Sequence, residues 1–370
     1  MGGKIAAEHG VICAFEGDFF GYFGWPSVAR GGDGTLYVVA SGLRSAHICP
    51  FGRTVLCVSR DEGRTWESPR VVNDTPLDDR DAGVLALGGS RLLAAWFTSD
   101  TREYRDEEFV AGLDPAARPH WEQGMRRLSP QAVERWLGSW VRLSEDGGET
   151  WGESIRAPVT APHGPVRLRG GDLFYLGKER SSGLSGLAPN GAAAFRSADG
   201  GRTWRPAGTV PMIEATGPGN YHEPHAAELP SGRLLGMIRV QSAGPDGDVA
   251  RAGLISFSIA QTESDDGGAT WSTPHTLGFH GSPPHLLRHS SGALILSYGY
   301  RLSPYGQRVA ISRDEGATWG HDFVLRDDGP SADLGYPASV ELAGGDVLTV
   351  YYQQVAAGHK CALLCSRWRP

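Results

Sequence analysis

The chain has 370 residues, of which 40% are hydrophobic and 21% charged, so it can form a packed core and is not predicted to be disordered. Its net charge of −7, with no basic stripe, argues against a nucleic-acid or anionic-membrane partner. The 52 glycines, 24 prolines and 11 tryptophans are typical of many short strands joined by tight turns, and they argue against a helical protein.

The N-terminal segment and the cysteines bear on where the protein is found. The segment MGGKIAAEHG has no apolar core of a signal peptide, and no apolar run along the chain is long enough to span a membrane. The five cysteines include no CxxC pair, and Cys57, Cys361 and Cys365 lie in apolar, strand-like runs. We therefore predict reduced core thiols in a cytoplasmic protein, or a secreted one if a signal peptide was removed.

An eight-residue pattern, Ser-x-Asp-x-Gly-x-Thr-Trp, recurs five times along the chain. The copies lie at 59–66, 144–151, 197–204, 264–271 and 312–319. The Asp side chain can accept backbone N–H groups across a turn, and the Gly can take a conformation that a Cβ resists. Thr and Trp then begin the next strand, with the indole packed beneath it. The pattern predicts five equivalent turns with a structural role.

A second signal, an apolar strand followed by a Gly-containing turn and another apolar strand, occurs six times. These hairpins begin near Trp25, Arg80, Gly164, Glu223, Pro284 and Tyr336. Together with the spacing of the turns, they predict an all-β, six-bladed β-propeller of four-stranded antiparallel blades, covering 1–370 as one domain. The final strand, CALLCSRW, is predicted to pair with the N-terminal strand near Val11 to Phe15, which would close the ring.

One segment, at about 101–138, interrupts the repeats with charged residues, Pro and Trp. Within it, SPQAVERWL predicts a short helix with Ser129 as its N-cap. We place this partly helical insertion between the second and third strands of the second blade, where it would act as a lid over the site or as a packing arm.

The innermost strands of a propeller line its central funnel, and here their first residues are unusually polar. They are Trp25, Arg80, Asp81, His163, Tyr221, His222, Glu223, His225, His285, Asp333 and Tyr336, and Arg44, Lys178, Arg239, Arg301 and Tyr352 lie at or near the ends of second strands. This convergence predicts a pocket for an anionic ligand.

Four of these residues are histidines, which are common metal ligands. His222 and His225, the two that are close in sequence, would point to opposite faces of one strand. We therefore predict no metal and no cofactor.

The repeated turns, known as Asp boxes, together with the six hairpins resemble the sialidase (neuraminidase) superfamily. In YHEPHAAELPSGRLLGMIR, Glu223 matches the family's glutamate that activates the nucleophile, and Arg239 matches one arginine of its carboxylate-binding triad. Arg301 resembles a second triad arginine, and DLGYPASVEL places Tyr336 at the nucleophile. A phenol has a pKa near 10 and needs a carboxylate to take its proton, and tyrosine nucleophiles are known in sialidases.

Two family determinants are missing. The Phe-Arg-Ile-Pro motif reads FGWP, so that Gly24 stands where the first triad arginine is expected. The family's acid/base aspartate precedes the first box, but the equivalent segment RSAHICPFGR has no acidic residue. Arg44 is a candidate replacement for the arginine, and His47, Asp79 or Asp81 for the acid, since histidine can exchange protons near neutral pH.

Three functions stay open at this point. We favour an exo-glycosidase for a terminal anionic sugar, with Tyr336, Glu223, His47 and Asp81 as catalytic residues. The alternatives are a uronic-acid polysaccharide lyase, in which His47 or a tyrosine takes a proton, and a glycan-binding propeller without activity. In each case the partner is a carbohydrate, and the predicted binding residues are Arg44, Arg80, His163, Tyr221, His222, Arg239, His285, Arg301 and Asp333.

Overall fold

A computed structural model describes residues 2–104, 113, 115–178, 191–243 and 248–370. It contains six sheets of four antiparallel strands each, arranged as the blades of a propeller, as predicted. The innermost strands follow one another around a ring, and the first blade contacts the sixth. Among the described residues, no helix is long and apolar enough to cross a membrane.

The first three blades are consecutive in sequence. Blade 1 consists of β2 (Tyr22–Arg30), β3 (Leu36–Arg44), β4 (Arg53–Ser59) and β5 (Arg70–Asn73). Blade 2 consists of β6 (Asp78–Gly88), β7 (Arg91–Ser99), β8 (Gly138–Ser144) and β9 (Ile155–Ala157). Blade 3 consists of β10 (Val166–Arg167), β11 (Leu173–Lys178), β12 (Ala192–Ser197) and β13 (Arg205–Thr209).

Blades 4 and 5 continue this order, and blade 6 joins the two ends of the chain. Blade 4 consists of β14 (Tyr221–Glu228), β15 (Leu234–Val240), β16 (Ser258–Ser264) and β17 (His275–His280). Blade 5 consists of β18 (Pro284–Arg288), β19 (Leu294–Tyr300), β20 (Gly306–Ser312) and β21 (Gly320–Arg326). Blade 6 consists of β22 (Gly335–Glu341), β23 (Val347–Gln354), β24 (Cys361–Trp368) and β1 (Ala7–Cys13).

The pairing of β1 with β24 closes the ring, as the sequence predicts. Ala7 lies opposite Trp368 and Val11 opposite Leu364. The strand begins four residues before the predicted Val11 and ends at Cys13. Because β24 is thereby paired on both sides, the last blade gains its fourth strand and the ring has no gap between the two ends of the chain.

The hydrophobic core is divided among the contacts between neighbouring blades. On β3, Val38 packs into the cluster between blades 1 and 6, whereas the adjacent Val39 packs into the cluster between blades 1 and 2. Successive side chains of a strand point to opposite faces, and here both faces are covered. This explains why second strands such as β7 (Arg91–Ser99) are nearly continuous apolar runs rather than alternating ones.

Each of the five repeated turns joins the third and fourth strands of its blade. In the turn at 144–151, Asp146 accepts hydrogen bonds from the Thr150 backbone N–H at 2.9 Å and from the Thr150 hydroxyl at 2.6 Å. The Ser144 hydroxyl accepts a hydrogen bond from Gly148 N–H. The hydrogen bonds from Thr150 lower the pKa of Asp146 to about 2. The turns lie at the end of the blades opposite the first residues of the inner strands.

Asp146→Ala should lower the unfolding temperature by roughly 2 °C, because the turn N–H groups lose their acceptor. Turnover by the folded protein should not change, since the turn lies far from the funnel. Thermal unfolding and an activity assay on the same preparation check this, with Asp146→Asn as the control that keeps one acceptor oxygen. A loss of activity without a loss of stability would contradict the structural role.

The insertion lies between β7 and β8, where the sequence places it. It contains α1 (Arg118–Arg127), which was not predicted, and α2 (Pro130–Trp136). Ser129 caps α2 as predicted, accepting a hydrogen bond from Ala132 N–H. On α1, a Cβ at Gly124 would lie 2.5 Å from Pro50, so α1 packs closely on the β3–β4 loop of blade 1. The insertion therefore contacts blade 1 through α1, and its role as a lid or as a packing arm stays a prediction, because residues 105–112 and 114 of it lie outside the described residues.

Candidate functional site

Four inner strands share the same backbone irregularity at the mouth of the funnel. Trp25, Asp81, Glu223 and Tyr336 have φ values of 53°, 48°, 49° and 52°, and each lies at a shift in the pairing register of its strand. A left-handed conformation costs a non-glycine residue about 1–3 kcal/mol and is concentrated at functional sites. A β-bulge of this kind re-aims a side chain, and these bulges bring side chains of four blades to one site.

The Tyr336 hydroxyl donates a short hydrogen bond to Glu223 Oε1, so the two residues that the family resemblance pairs are in contact. Arg239 Nη1 lies 2.5 Å from Glu223 Oε2 and 3.4 Å from the Tyr336 hydroxyl. Burial would raise the pKa of Glu223, but the Arg239 guanidinium and the Tyr336 hydroxyl outweigh it and hold this pKa below 4.5. Glu223 is therefore a carboxylate at neutral pH, ready to accept a proton.

The phenol of Tyr336 is strongly held in its neutral form. Burial raises its pKa well above 10, and the carboxylates of Glu223 and Asp81 add to the effect. Arg301 lies over the same ring, with its Cζ 5.6 Å from the centroid, and its Nε donates to the Leu334 carbonyl. Burial disfavours the Arg301 charge, but the neighbouring phenols and carboxylates raise its pKa above the ordinary value. Two guanidinium groups thus flank the tyrosine–glutamate pair.

Trp25 fills the part of the site next to Gly24, where the resemblance expects an arginine. Its indole is buried and lies 6.3 Å from the Tyr336 ring and 4.9 Å from the His47 ring. The guanidinium of Arg80 lies over the indole at 4.4 Å. Blade 1 therefore contributes an aromatic surface, and blade 2 contributes the guanidinium of Arg80 that lies over it.

The structure corrects the prediction for Arg44. Its side chain is fully buried and donates to both carboxylate oxygens of Asp78, at 2.5 and 2.8 Å. It also donates to the backbone carbonyls of Ala46 and His47. Its donors are used inside the protein, so it supports the β3–β4 loop and does not replace the missing triad arginine.

The aspartates proposed as acids lie in different surroundings. Asp79 is buried and accepts hydrogen bonds from Asn73 and Thr75, and its burial raises its pKa to about 7. Asp81 lies on the bulge of β6, close enough to Tyr336 and Tyr175 that its charge raises the pKa of both phenols. Asp79 therefore faces the protein interior, and only Asp81 lies beside the tyrosine–glutamate pair.

Asp333 and His47 meet across the ring closure. Asp333 accepts hydrogen bonds from His47 Nδ1 at 2.9 Å, the Tyr22 hydroxyl at 3.0 Å and the Tyr352 hydroxyl at 3.2 Å. Burial would raise the pKa of Asp333, but the hydrogen bonds, above all that from His47, lower it. Asp333 is thus bound by protein groups rather than free for a ligand, which differs from its predicted binding role. Tyr22 was not predicted as a site residue, because an aromatic residue at the start of a strand usually indicates a residue of the hydrophobic core.

Three predicted funnel histidines form a buried cluster from three blades. The ring centroids of His225 and His285 are 4.5 Å apart, and that of His163 lies 5.6 and 4.9 Å from them. Burial lowers all three pKa values, that of His225 to about 4. Both ring nitrogens of His163 lack a hydrogen-bond partner among the described residues.

The donor set of this cluster does not suit a metal. Nδ1 of His225 accepts from the Leu286 N–H, and Nδ1 of His285 accepts from the Ser339 N–H. In a neutral imidazole with Nδ1 as acceptor, Nε2 carries the proton and has no lone pair to offer. Within the described residues, no group of three or more His, Cys, Asp or Glu side chains could hold a metal ion.

Tyr221 and His222, two further predicted binding residues, are held by neighbouring backbone. The Tyr221 hydroxyl accepts a hydrogen bond from Ile213 N–H at 2.6 Å, and its ring is buried in the core between blades 3 and 4. His222 Nε2 lies 2.7 Å from the Gly219 carbonyl, and its burial beside Lys178 lowers its pKa to about 4. Tyr221 thus belongs to the wall of the funnel, a correction to its predicted role.

The chain is similar to several known proteins in sequence or in structure. No family model matches the chain. A xyloglucanase from a Paenibacillus species is 27% identical over 186 residues, which cover 47% of this chain and 17% of that enzyme. A protein of unknown function from Dyadobacter fermentans has a TM-score of 0.75 and 25% identity, with 98% of each chain covered.

Sialidases share the fold over nearly the whole chain. The intramolecular trans-sialidase from Ruminococcus gnavus has a TM-score of 0.65 and 17% identity, with 97% of each chain covered. The protein is thus a six-bladed propeller with the sialidase fold. The Dyadobacter protein, whose function is unknown, shares the same architecture over nearly its whole length.

Proposed function

We propose that the protein is an exo-acting glycoside hydrolase that cleaves a terminal anionic sugar, with Tyr336 as nucleophile and Glu223 as its base. The observation that carries the proposal is the hydrogen bond from the Tyr336 hydroxyl to Glu223, with Arg239 and Arg301 beside it. Glu223 and Tyr336 lie at bulges of the innermost strands β14 and β22, whereas Arg239 lies in β15 and Arg301 directly follows β19.

The chemistry of the pair suits an anionic sugar. A phenol with a raised pKa is uncharged at neutral pH, so it does not repel a substrate carboxylate as an aspartate or glutamate nucleophile would. As the Tyr336 oxygen attacks the anomeric carbon, its proton passes to Glu223, whose lowered pKa keeps it ionised beforehand. The arginines that flank the pair favour the binding of a negative group.

The charges around the pair are consistent with this ligand. Arg80, Arg239 and Arg301 lie near the site, against the carboxylates of Glu223 and Asp81. Glu223 takes one of the donors of Arg239, and the Leu334 carbonyl takes the Nε donor of Arg301. We therefore place the substrate carboxylate, or an equivalent anion, between the phenol and Arg301.

We expect weak or no turnover of ordinary sialosides, because Gly24 stands where the resemblance requires an arginine, with the Trp25 indole beside it, and because the expected acidic residue is missing. Aryl glycosides of sialic acid, its deaminated analogue, uronic acids and neutral sugars, assayed side by side, test both the proposal and the substrate. Hydrolysis of an anionic glycoside other than a sialoside is the expected result. Efficient cleavage of sialosides would contradict this expectation, and binding without any turnover would support a glycan-binding propeller instead.

The lyase alternative is favoured by one observation. Burial lowers the pKa of His47, so this imidazole is mainly neutral at pH 7 and is suited to taking a proton. A lyase product contains a new double bond that absorbs in the ultraviolet, whereas a hydrolase product does not. Incubation with a uronic-acid polymer, followed by absorbance and by reducing-end analysis, separates the two reactions.

A further inference from the structure

The proposed hydrolase lacks an acidic residue at the position where the resemblance expects one, and the structure offers a replacement. His47 lies in the β3–β4 loop of blade 1, and Asp333 lies 286 residues later, just before β22 of blade 6. The closed ring brings their side chains together, with His47 Nδ1 2.9 Å from Asp333 Oδ1. The His47 side chain is 46% exposed, so that one edge of the imidazole faces solvent at the mouth of the funnel.

We propose that His47 is the acid/base of this site and that Asp333 is its positioning residue, which together form a proton-transfer dyad. This inference rests on the proposed glycoside hydrolase function. It assigns Asp333 to the protein's own proton transfer rather than to ligand binding, and it selects His47 over Asp79 and Asp81.

The hydrogen bonds of Asp333 determine which imidazole nitrogen is available. Tyr22 and Tyr352 donate their hydroxyl protons to the carboxylate, and the Cys361 thiol lies within 3.5 Å of it. An ionised carboxylate can only accept, so His47 Nδ1 must carry the proton that it shares with Asp333. Nε2 is then the atom that takes or gives a proton, and it has no hydrogen-bond partner among the described residues.

The Trp25 indole connects the imidazole to the nucleophile. Its ring centroid lies 4.9 Å from that of His47, with the planes at 81°, and 6.3 Å from that of Tyr336. Asp79 is excluded because it is buried and bound by Asn73 and Thr75. Asp81 is 7% exposed and lies beside the Tyr336 phenol. It is therefore next to the nucleophile and not where the leaving group is expected.

The proton balance of the two steps can be written out fully. In the first step the Tyr336 oxygen bonds to the anomeric carbon and the glycosidic C–O bond breaks. The leaving oxygen takes the Nε2 proton of protonated His47, and Glu223 takes the phenol proton. In the second step water attacks the anomeric carbon, His47 Nε2 takes its proton, and the Tyr336 oxygen leaves with the proton returned by Glu223.

The first test uses leaving groups of different acidity. His47→Gln and Asp333→Asn should each lose about 100-fold in kcat on a glycoside with an alkyl or sugar leaving group. Both should stay within about tenfold of the parent on an aryl glycoside whose leaving group is acidic enough to depart unprotonated. His275→Gln, an exposed histidine of the outer strand β17, is the matched control and should change neither rate.

Tyr336→Phe separates this inference from the proposed function. It should lose activity on both substrates, because every leaving group needs the nucleophile. If Tyr336→Phe is inactive on both while the His47 and Asp333 variants lose the two activities equally, or lose neither, the dyad is wrong and the hydrolase proposal stands. If Tyr336→Phe keeps its activity, the proposed function itself fails.

The dependence of kcat/KM on pH tests the role of Asp333, because a merely structural role would not shift it. Burial, Arg80 and Arg44 lower the pKa of His47, whereas Asp333 raises it, with a net value below 6.5. Because the acid must be protonated, kcat/KM on the alkyl glycoside should fall as the pH rises through this pKa. Asp333→Asn should move this descending limb of the pH profile to lower pH, and His47→Gln should remove the limb.

A milder variant tests the same contact in case the Asp333→Asn variant does not fold. Tyr22→Phe removes only the hydroxyl that lies 3.1 Å from His47 Nδ1 and 3.0 Å from Asp333. It should shift the same limb by less than Asp333→Asn does, without removing it. An unchanged limb in Asp333→Asn, or activity that rises with pH through it, would overturn the role of His47 as the acid.

Discussion

Replacing Tyr336 with phenylalanine is expected to abolish turnover while leaving ligand binding largely intact. Only the hydroxyl that bonds to Glu223 is lost, and the ring keeps its place under Arg301. Because the nucleophile acts in every turnover, we expect kcat to fall at least about 1,000-fold. Product or inhibitor affinity should change by less than about tenfold, since the flanking arginines stay in place.

Steady-state kinetics and calorimetric binding measured on the same variant check this prediction. Tyr37→Phe is the matched control, because its hydroxyl lies 3.5 Å from the position of a Cβ at Gly147, in a repeated turn at the opposite end of the blades. Glu223→Gln should resemble Tyr336→Phe, because an amide cannot take the phenol proton. A Tyr336→Phe variant with more than a tenth of the parental kcat would rule out the tyrosine nucleophile.

Asp78→Ala should destabilise the protein by about 3–5 kcal/mol, the usual cost of breaking a buried ion pair from one side. Asp78 and Arg44 are both fully buried, and Arg44 holds both oxygens of the carboxylate. Without Asp78, the guanidinium keeps its charge in an apolar interior. Urea unfolding, followed by fluorescence, measures the change in the free energy of unfolding.

Asp74→Ala provides the comparison for this buried pair. Asp74 pairs with Arg53 at 2.9 Å, but both side chains are partly exposed, so the loss should stay below about 1 kcal/mol. Equal losses in the two variants would show that burial of the Arg44–Asp78 pair does not matter. Since Arg44 also binds the His47 carbonyl, we expect Asp78→Ala to lower turnover as well.

The architecture follows from local signals, which is why the sequence was sufficient to predict it. Each repeated turn makes its hydrogen bonds within eight residues, such as those from Gly148 N–H to Ser144 and from Thr150 N–H to Asp146. Each of the five copies therefore marks one blade, whatever the rest of the chain does. Ser129 caps its helix through a residue three positions on, which is equally local. The pairing of β1 with β24 was predictable for another reason, since an unpaired last blade would leave the ring open.

The tyrosine–glutamate contact was expected from the family resemblance, which pairs Tyr336 with Glu223. Arg44 shows where such reasoning fails. A charged residue at the end of a strand looks the same in the sequence whether it faces a ligand or a buried partner. Asp78 of the next blade decides the matter, and its approach depends on how two sheets pack rather than on either segment.

The number of blades, the closure of the ring, the position of the insertion and the residues that could reach the funnel were all predictable from the sequence. These features depend on contacts within a hairpin or on a repeat, and such contacts are visible in a short stretch of chain. The partners of those residues, such as Asp333 for His47 across 286 positions, became apparent only in the folded structure. Hydrogen bonding and burial depend on distances of a few ångströms between blades, and those distances exist only once the ring has closed.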